Sequence, residues 1–260
     1  MRADVYLTAM GYVPSRKKAQ DLIDGGAVTI DGQIVKKSSV LINEEIEHKV
    51  EIQPLFRYVS RGGMKLEGAL NAFGINVNRK KAVDVGASTG GFTDCLLQRG
   101  ASRVIAVDSG IGQLHESLRK DKRVVTVEHF NARELNTDVT EGPCDLAVMD
   151  VSFISQTYLI PAVVSVLKEG GEFISLIKPQ FEAGKSALGK GGIVRSSAYR
   201  YLAIKRVLEC AMSAGLDCLG VIPSPIEGGD GNREYLAYFR LQPCLAPRIE
   251  DRMLRRIAEL

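Results

Sequence analysis

An acid and a lysine close two successive apolar runs, and the chemistry of the chain starts there. Met149-Asp150-Val151-Ser152-Phe153 ends one run, and Leu176-Ile177-Lys178-Pro179-Gln180-Phe181-Glu182 ends the next. If both runs are strands of an open α/β sheet, their carboxyl ends border the ligand crevice, and Asp150 and Lys178 face one pocket. The alternative is a buried ion pair without a task, which is a costly arrangement at that position. Upstream, Ala82-Val83-Asp84-Val85-Gly86 opens into Ala87-Ser88-Thr89-Gly90-Gly91-Phe92, a glycine-bearing turn that lets a ligand approach the backbone closely. Its spacing, G-x-x-x-G-G, differs from the G-x-G-x-x-G of dinucleotide binders. Gly184-Lys185-Ser186 has the ending of a phosphate loop, but Pro179 stands where the first glycine should be. Asp84 inside the strand suits a cationic ligand better than a polyphosphate. S-adenosylmethionine, with its ammonium and sulfonium, is such a ligand. Asp108 closes the next strand, about 20 residues on, where a carboxylate can accept both ribose hydroxyls. Asn131, after the third strand, is placed to meet an adenine edge, although each of these residues alone is an ordinary loop residue.

These side chains need a sheet to hold them. From Lys81 onward, short apolar runs alternate with helical segments: Ala82–Val85, Val104–Val107, Val124–Val127, Leu146–Met149, Phe173–Ile177, Leu219–Ile222 and Tyr235–Phe239. Six of them predict a parallel, doubly wound α/β sheet of the Rossmann-like kind. The seventh follows too soon for a crossover helix and is expected to pair antiparallel. Met64–Phe73 is expected to be a helix in front of this domain. The first 55 residues form a smaller α+β unit. It has a helix over Arg2–Met10, a second over Arg16–Ile23 capped by Ser15, a hairpin turning at Asp31-Gly32, and a third strand over Glu45–Ile52. The expected organisation is therefore 1–55, a basic linker 56–63, a catalytic domain 64–242, and a helical tail 243–260 with Ile249, Met253, Leu254 and Ile257 at helical spacing.

Charge and composition narrow the partners. The net charge of +3 is small, but its distribution is uneven. Arg57, Arg61, Lys65, Arg79, Lys80 and Lys81 cluster in one stretch. Lys185, Lys190, Arg195, Arg200, Lys205 and Arg206 share another that contains no acid. Such clusters suit a phosphate backbone, the alternative being solvated faces. The five cysteines lack the paired spacing of a zinc knuckle or redox motif, so no metal is expected and a reducing compartment is. No apolar run approaches the roughly 20 residues of a membrane span, and the N-terminus lacks a signal-peptide core. A cytoplasmic protein with no membrane partner is expected.

Taken in order, Lys65, Asp150, Lys178 and Glu234 resemble the K-D-K-E tetrad of FtsJ-type ribose 2′-O-methyltransferases. Ser60-Arg61-Gly62-Gly63-Met64-Lys65-Leu66, the stretch Asp84 to Phe92, Asp150-Val151-Ser152-Phe153, Lys178 to Glu182, and Gly189-Lys190-Gly191-Gly192-Ile193-Val194-Arg195 resemble the TlyA (hemolysin A) type of ribosomal-RNA methyltransferase. The resemblance runs from Arg2 to about Leu241, and the first 55 residues resemble the RNA-binding domain of small-subunit ribosomal protein S-four. It implies catalytic roles for Lys65, Asp150, Lys178 and Glu234. It implies cofactor binding by Asp84, Gly86, Ser88, Gly90, Gly91, Phe92, Asp108 and Asn131, with ribosomal RNA or ribosomal subunits as the partner and a cytidine ribose as the target. Ser15, Arg16, Lys18, Lys36, Lys37, Arg61, Lys190 and Arg195 are the expected RNA contacts. The physics agrees: a ribose hydroxyl is a poor nucleophile that must be aligned and relieved of its proton. Rival readings are a membrane-active cytolysin and a non-catalytic RNA-binding factor of ribosome assembly. The missing span and the complete tetrad weigh against them.

Overall fold

The computed structural model describes residues 1–24, 26–52, 57–228, 231–242 and 250–260. Phe56 of the expected linker, and Cys244 and Ile249 of the tail, lie outside the described residues. The chain forms two compact units, Met1–Arg57 and Tyr58–Leu260.

In the first unit, helices α1 (Ala3–Ala9) and α2 (Arg16–Asp24) pack with strands β1 (Val28–Ile30), β2 (Gln33–Ile34) and β3 (Val50–Ile52), the sheet order being β2-β1-β3. Ser15 Oγ accepts the Lys18 amide at 3.2 Å, the side-chain cap expected of a serine before a helix. Asp31 and Gly32 both have positive φ, at 52° and 75°, as a two-residue primed hairpin turn requires. The third strand is shorter than its alternating sequence predicts. His48 lies 2.6 Å from Asp31 and 2.8 Å from the Asn43 carbonyl, and Asp31 Oδ1 accepts the Lys49 amide at 2.9 Å. Side chains thus take the backbone groups that a longer ladder would have used. The unit is also organised by Asp4, wholly buried on α1. Its carboxylate accepts from Arg2 at 2.9 Å, Arg16 at 3.0 Å and Gln20 at 2.9 Å. The Arg2 contact, with those of Gln20 and Arg16, holds the Asp4 carboxyl far below the usual carboxylate range despite its burial.

In the second unit, α3 (Gly62–Ala72) precedes β4 (Lys81–Val85), α4 (Gly91–Gln98), β5 (Arg103–Val107), α5 (Glu116–Arg119), β6 (Val124–Val127) and β7 (Cys144–Met149). Then follow α6 (Ile160–Ser165), β8 (Leu167–Ile177), α7 (Pro179–Glu182), α8 (Ser197–Ser213), β9 (Leu216–Pro223), β10 (Tyr235–Leu241) and α9 (Asp251–Glu259). The strand order is β6-β5-β4-β7-β8-β10-β9, with β10 antiparallel to both neighbours. The order reverses between β4 and β7, so the crevice opens above the carboxyl ends of those two strands. Alternate residues of each strand feed two cores. Val83, Val85, Ala147, Met149 and Phe173 face one side, and Ala82, Leu146, Val148, Ile174 and Leu176 the other. Strands buried on both faces read as continuous apolar runs, which is why the sequence located them. The expected linker is part of this unit from Tyr58 on: Tyr58 is 4% exposed, and the Val59 amide donates to Asp94 at 2.8 Å. The tail helix is α9, seated through Leu254, Ile257 and Ala258.

Candidate active site

Gly86 leaves β4 with φ 84°, and a Cβ there would come within 2.6 Å of the Asp150 carbonyl. Gly90 opens α4 at φ 94°, with Leu118 where its Cβ would lie, 2.2 Å away. Both positions therefore demand glycine, for conformation and for space. The turn between them forms the floor of a crevice with two halves that share Gly86, Ser88, Asp150 and Ser152.

The wider half, about 390 Å³, is lined by Asp108, Phe130, Asn131, Asp150 and Phe153 among others, and by no lysine or arginine. Asp108 Oδ2 accepts the Ser88 amide and its Oδ1 the Gly110 amide, both at 2.7 Å. Each oxygen keeps a lone pair for a further donor. Asn131 caps a short helical turn, accepting the Arg133 amide at 3.2 Å, and reaches Glu134 at 3.2 Å. It lines the cavity, but with its amide already engaged. Asp84 and Gly90 line neither half. Asp84 is wholly buried beneath the turn, where Oδ2 accepts from Thr93 at 2.7 Å and Oδ1 has no hydrogen-bond partner. Burial pushes its carboxyl up to about 7, against the opposing Thr93 bond and with the Asp150 charge adding.

The narrower half, about 270 Å³, is lined by Ser60, Arg61, Lys65, Gly91, Phe92, Asp150, Ser152 and Lys178, among others. Lys178 Nζ lies 2.5 Å from Asp150 Oδ1, an ion pair off the oxygen's hydrogen-bonding direction, and donates to Ser152 Oγ at 3.0 Å. Lys65 Nζ donates to Glu234 Oε2 at 2.5 Å, with both residues buried. The sheet topology explains this meeting. Because β10 runs antiparallel to β8, Tyr235 pairs with Ile177. Glu234, one residue before β10, therefore arrives beside the end of β8 from which Lys178 projects. Below, Glu182 accepts from Ser155 Oγ at 2.6 Å and the Gln156 amide at 2.8 Å, tying the loop after β7 to the one after β8.

Residues 58–241 match a family model described as FtsJ-like methyltransferase, and residues 1–45 match one described as an S4 domain. A protein of Mycobacterium tuberculosis named 16S/23S rRNA (cytidine-2′-O)-methyltransferase TlyA is 41% identical, over 99% of this chain and 97% of its own. Hemolysin A of Brachyspira hyodysenteriae is 43% identical, over 92% of this chain and 99% of its own. The chain belongs to the TlyA (hemolysin A) family of FtsJ-like methyltransferases. A solved structure of a hemolysin-named protein from Streptococcus thermophilus superposes with a TM-score of 0.77 at 38% identity, covering 100% of this chain and 94% of that one.

The TlyA family implies S-adenosylmethionine, and the residues present fit it. Two carboxylates and no cation line the wider half, and the orphaned oxygen of Asp84 lies beneath. That field favours a ligand with an ammonium and a sulfonium and disfavours a polyphosphate. Sequence reasoning missed Ser152 as a Lys178 partner, although it stands within the Asp150-Val151-Ser152-Phe153 stretch. It also missed Phe153, which is 92% exposed at the rim, with φ 65° and its ring 5.2 Å from that of Phe181. A bulky aromatic in the left-handed region is strained, and such strain concentrates at working sites. Its sequence signal was an aromatic in the loop three residues after Asp150, the acid that follows β7. Of the expected RNA contacts in the second unit, Arg61 lines the narrower half and Lys190 and Arg195 are exposed. In the first unit Lys18, Lys36 and Lys37 are exposed, while Ser15 serves as a cap and Arg16 is committed to Asp4.

Proposed function

We propose that this protein transfers the methyl of S-adenosylmethionine to the ribose 2′-hydroxyl of cytidine in ribosomal RNA, of one subunit or both. The observation that carries this reading is Lys178, held by Asp150 and Ser152 on the wall between the two halves of the crevice. The sulfonium, when bound, supplies an activated methyl group. The wider half receives the adenosine, with Asp108 on its ribose hydroxyls and Asn131 near its base. Gly86, Ser88, Gly91 and Phe92 shape the turn against which it lies, and Asp84 and Gly90 hold that turn from behind. The narrower half receives the target ribose. Lys178 donates one N–H to Ser152 and is ion-paired with Asp150, which leaves an N–H to turn toward the 2′-oxygen. It aligns that oxygen and either takes its proton or, where the proton passes to water, stabilises the charge left on it. Lys65, held from behind by Glu234, lines the same half, and Phe153 offers a face for a splayed-out base. Lys18, Lys36, Lys37, Arg61, Lys190 and Arg195 supply phosphate contacts. Ribosomal RNA as substrate places this work in the cytoplasm. Among the described residues no helix is long and apolar enough to cross a membrane, and nothing in the site favours a lytic activity.

The direct test incubates the full chain with labelled S-adenosylmethionine and unmodified ribosomal RNA, as naked RNA and as subunits, and maps the product by mass. Label on a cytidine ribose is expected. Label confined to a base, or none on any form of the RNA, would overturn the reading.

A second expectation concerns Asp84. A cation bound above the turn favours its ionised form, so cofactor binding releases a proton near neutrality, and affinity should rise from pH 6 to pH 8. In Asp84→Asn the rise should be lost, leaving only the fall that comes as the cofactor's own ammonium deprotonates. Calorimetry on both proteins across that range checks this, and identical pH profiles would uncouple Asp84 from the ligand.

A further inference from the structure

Three arginines share a small cavity outside the crevice. Arg195, Arg200 and Arg233, with Ile193, Val194 and Gly231, line a space of about 290 Å³. Arg200 is only 6% exposed. Its Nε donates to the Ala258 carbonyl at 2.9 Å, and its Nη1 to the carbonyls of Val194 at 3.3 Å and Arg195 at 2.7 Å. Arg233 Nη1 donates to the Glu259 carbonyl at 2.6 Å. Among the described residues, none of the three guanidinium groups is paired with a carboxylate. Buried cations normally are. The carbonyl end of α9 offsets about half a charge, which leaves the cavity strongly positive among the described residues.

The cavity is held in place by its neighbours. Asn232 is 1% exposed, and its side chain accepts the Val194 amide at 3.0 Å and donates to the Gly192 carbonyl at 3.2 Å. That clasp sets Arg195, one residue after Val194, against Arg233, one residue after Asn232. The next residue is Glu234 of the tetrad. The exposed fork of Arg233 and that of Arg195 can each grip two oxygens of a tetrahedral anion, with the buried Arg200 charge beneath.

We infer that this cavity binds a backbone phosphate of the RNA substrate and so registers the strand against the tetrad through the Arg233-Glu234 step. This rests on the RNA-methyltransferase reading above. The test uses the full-length double variant Arg195→Gln with Arg233→Gln, both exposed positions, with calorimetry of S-adenosylmethionine as the check on folding. Binding of transcribed ribosomal RNA is measured across salt concentration, and methyl transfer is measured in parallel. Each lost phosphate contact lowers the slope of log affinity against log salt by about 0.7 to 0.9. The slope should therefore fall by about 0.7 to 0.9, RNA affinity by about 10- to 100-fold, and cofactor affinity not at all. An unchanged slope and affinity would overturn the inference. So would thermal stabilisation by inorganic phosphate that is lost in the variant while the RNA slope stays put, since that marks a free-anion site. If the wild-type protein methylates no ribosomal RNA yet the slope still falls, the phosphate site stands and the proposed activity fails.

Discussion

Replacing Lys178 with alanine should lower single-turnover methyl transfer by about 100- to 10,000-fold, the range of general-base and electrostatic assistance. Cofactor affinity should change by less than about tenfold, because Lys178 lines only the narrower half of the crevice. The loss belongs to the chemical step: without the ammonium, Asp150 and Ser152 remain but nothing offers an N–H to the 2′-oxygen. Lys178→Arg should restore little. Its planar fork does not reproduce a point charge held at 2.5 Å and 3.0 Å by two acceptors, and it cannot give up a proton. Near-full rate in the arginine variant would make Lys178 a fixed charge rather than a base. Near-full rate in the alanine variant would remove it from the chemistry and revive the assembly-factor reading.

Breaking the other pair should act on stability as well as on rate. Glu234→Ala leaves the Lys65 ammonium buried without its partner, at a cost of about 3–5 kcal/mol. The double variant Lys65→Met with Glu234→Leu removes both charges and should recover most of that loss, since apolar pairs of similar volume often replace buried ion pairs without penalty. Its methyl transfer should nevertheless stay down by at least about 100-fold. Urea unfolding followed by circular dichroism, set beside single-turnover rates, separates the two effects. A double variant both stable and active would show that the pair holds structure and takes no part in the reaction. A double variant as unstable as Glu234→Ala would mean that the narrower half needs the charges themselves.

Local patterns carried much of this. Strands buried on both faces are legible because most of their residues are apolar, and the primed turn at Asp31-Gly32 is legible because few residues tolerate its φ values. The glycine turn and the downstream Asp108 were readable from spacing alone. The roles of Lys65 and Glu234 were not: nothing near Glu234 in the chain marks it, and Lys65 is marked only by the resemblance of the Ser60 to Leu66 stretch. Arg16 read as a surface cation because its anchor, Asp4, is twelve residues away across a helix pair. Asp84 read as a ligand contact, yet it lies beneath the turn, because strand alternation does not say how far a side chain stands from the crevice.

By itself, then, the sequence determined the elements, their order and the glycine turn, and by resemblance it singled out Lys65, Asp150, Lys178 and Glu234. The tertiary structure decided how those four combine. Lys65 and Glu234 are 169 residues apart, and no local preference relates them. They meet because the last strand inserts antiparallel between β8 and β9, which sets its first residue beside the last of β8. Hydrogen bonding between β8 and β10 thus brings Glu234 to Lys65 at the back of the narrower half, and splits the four residues into two charge-balanced pairs with Lys178 lining that half.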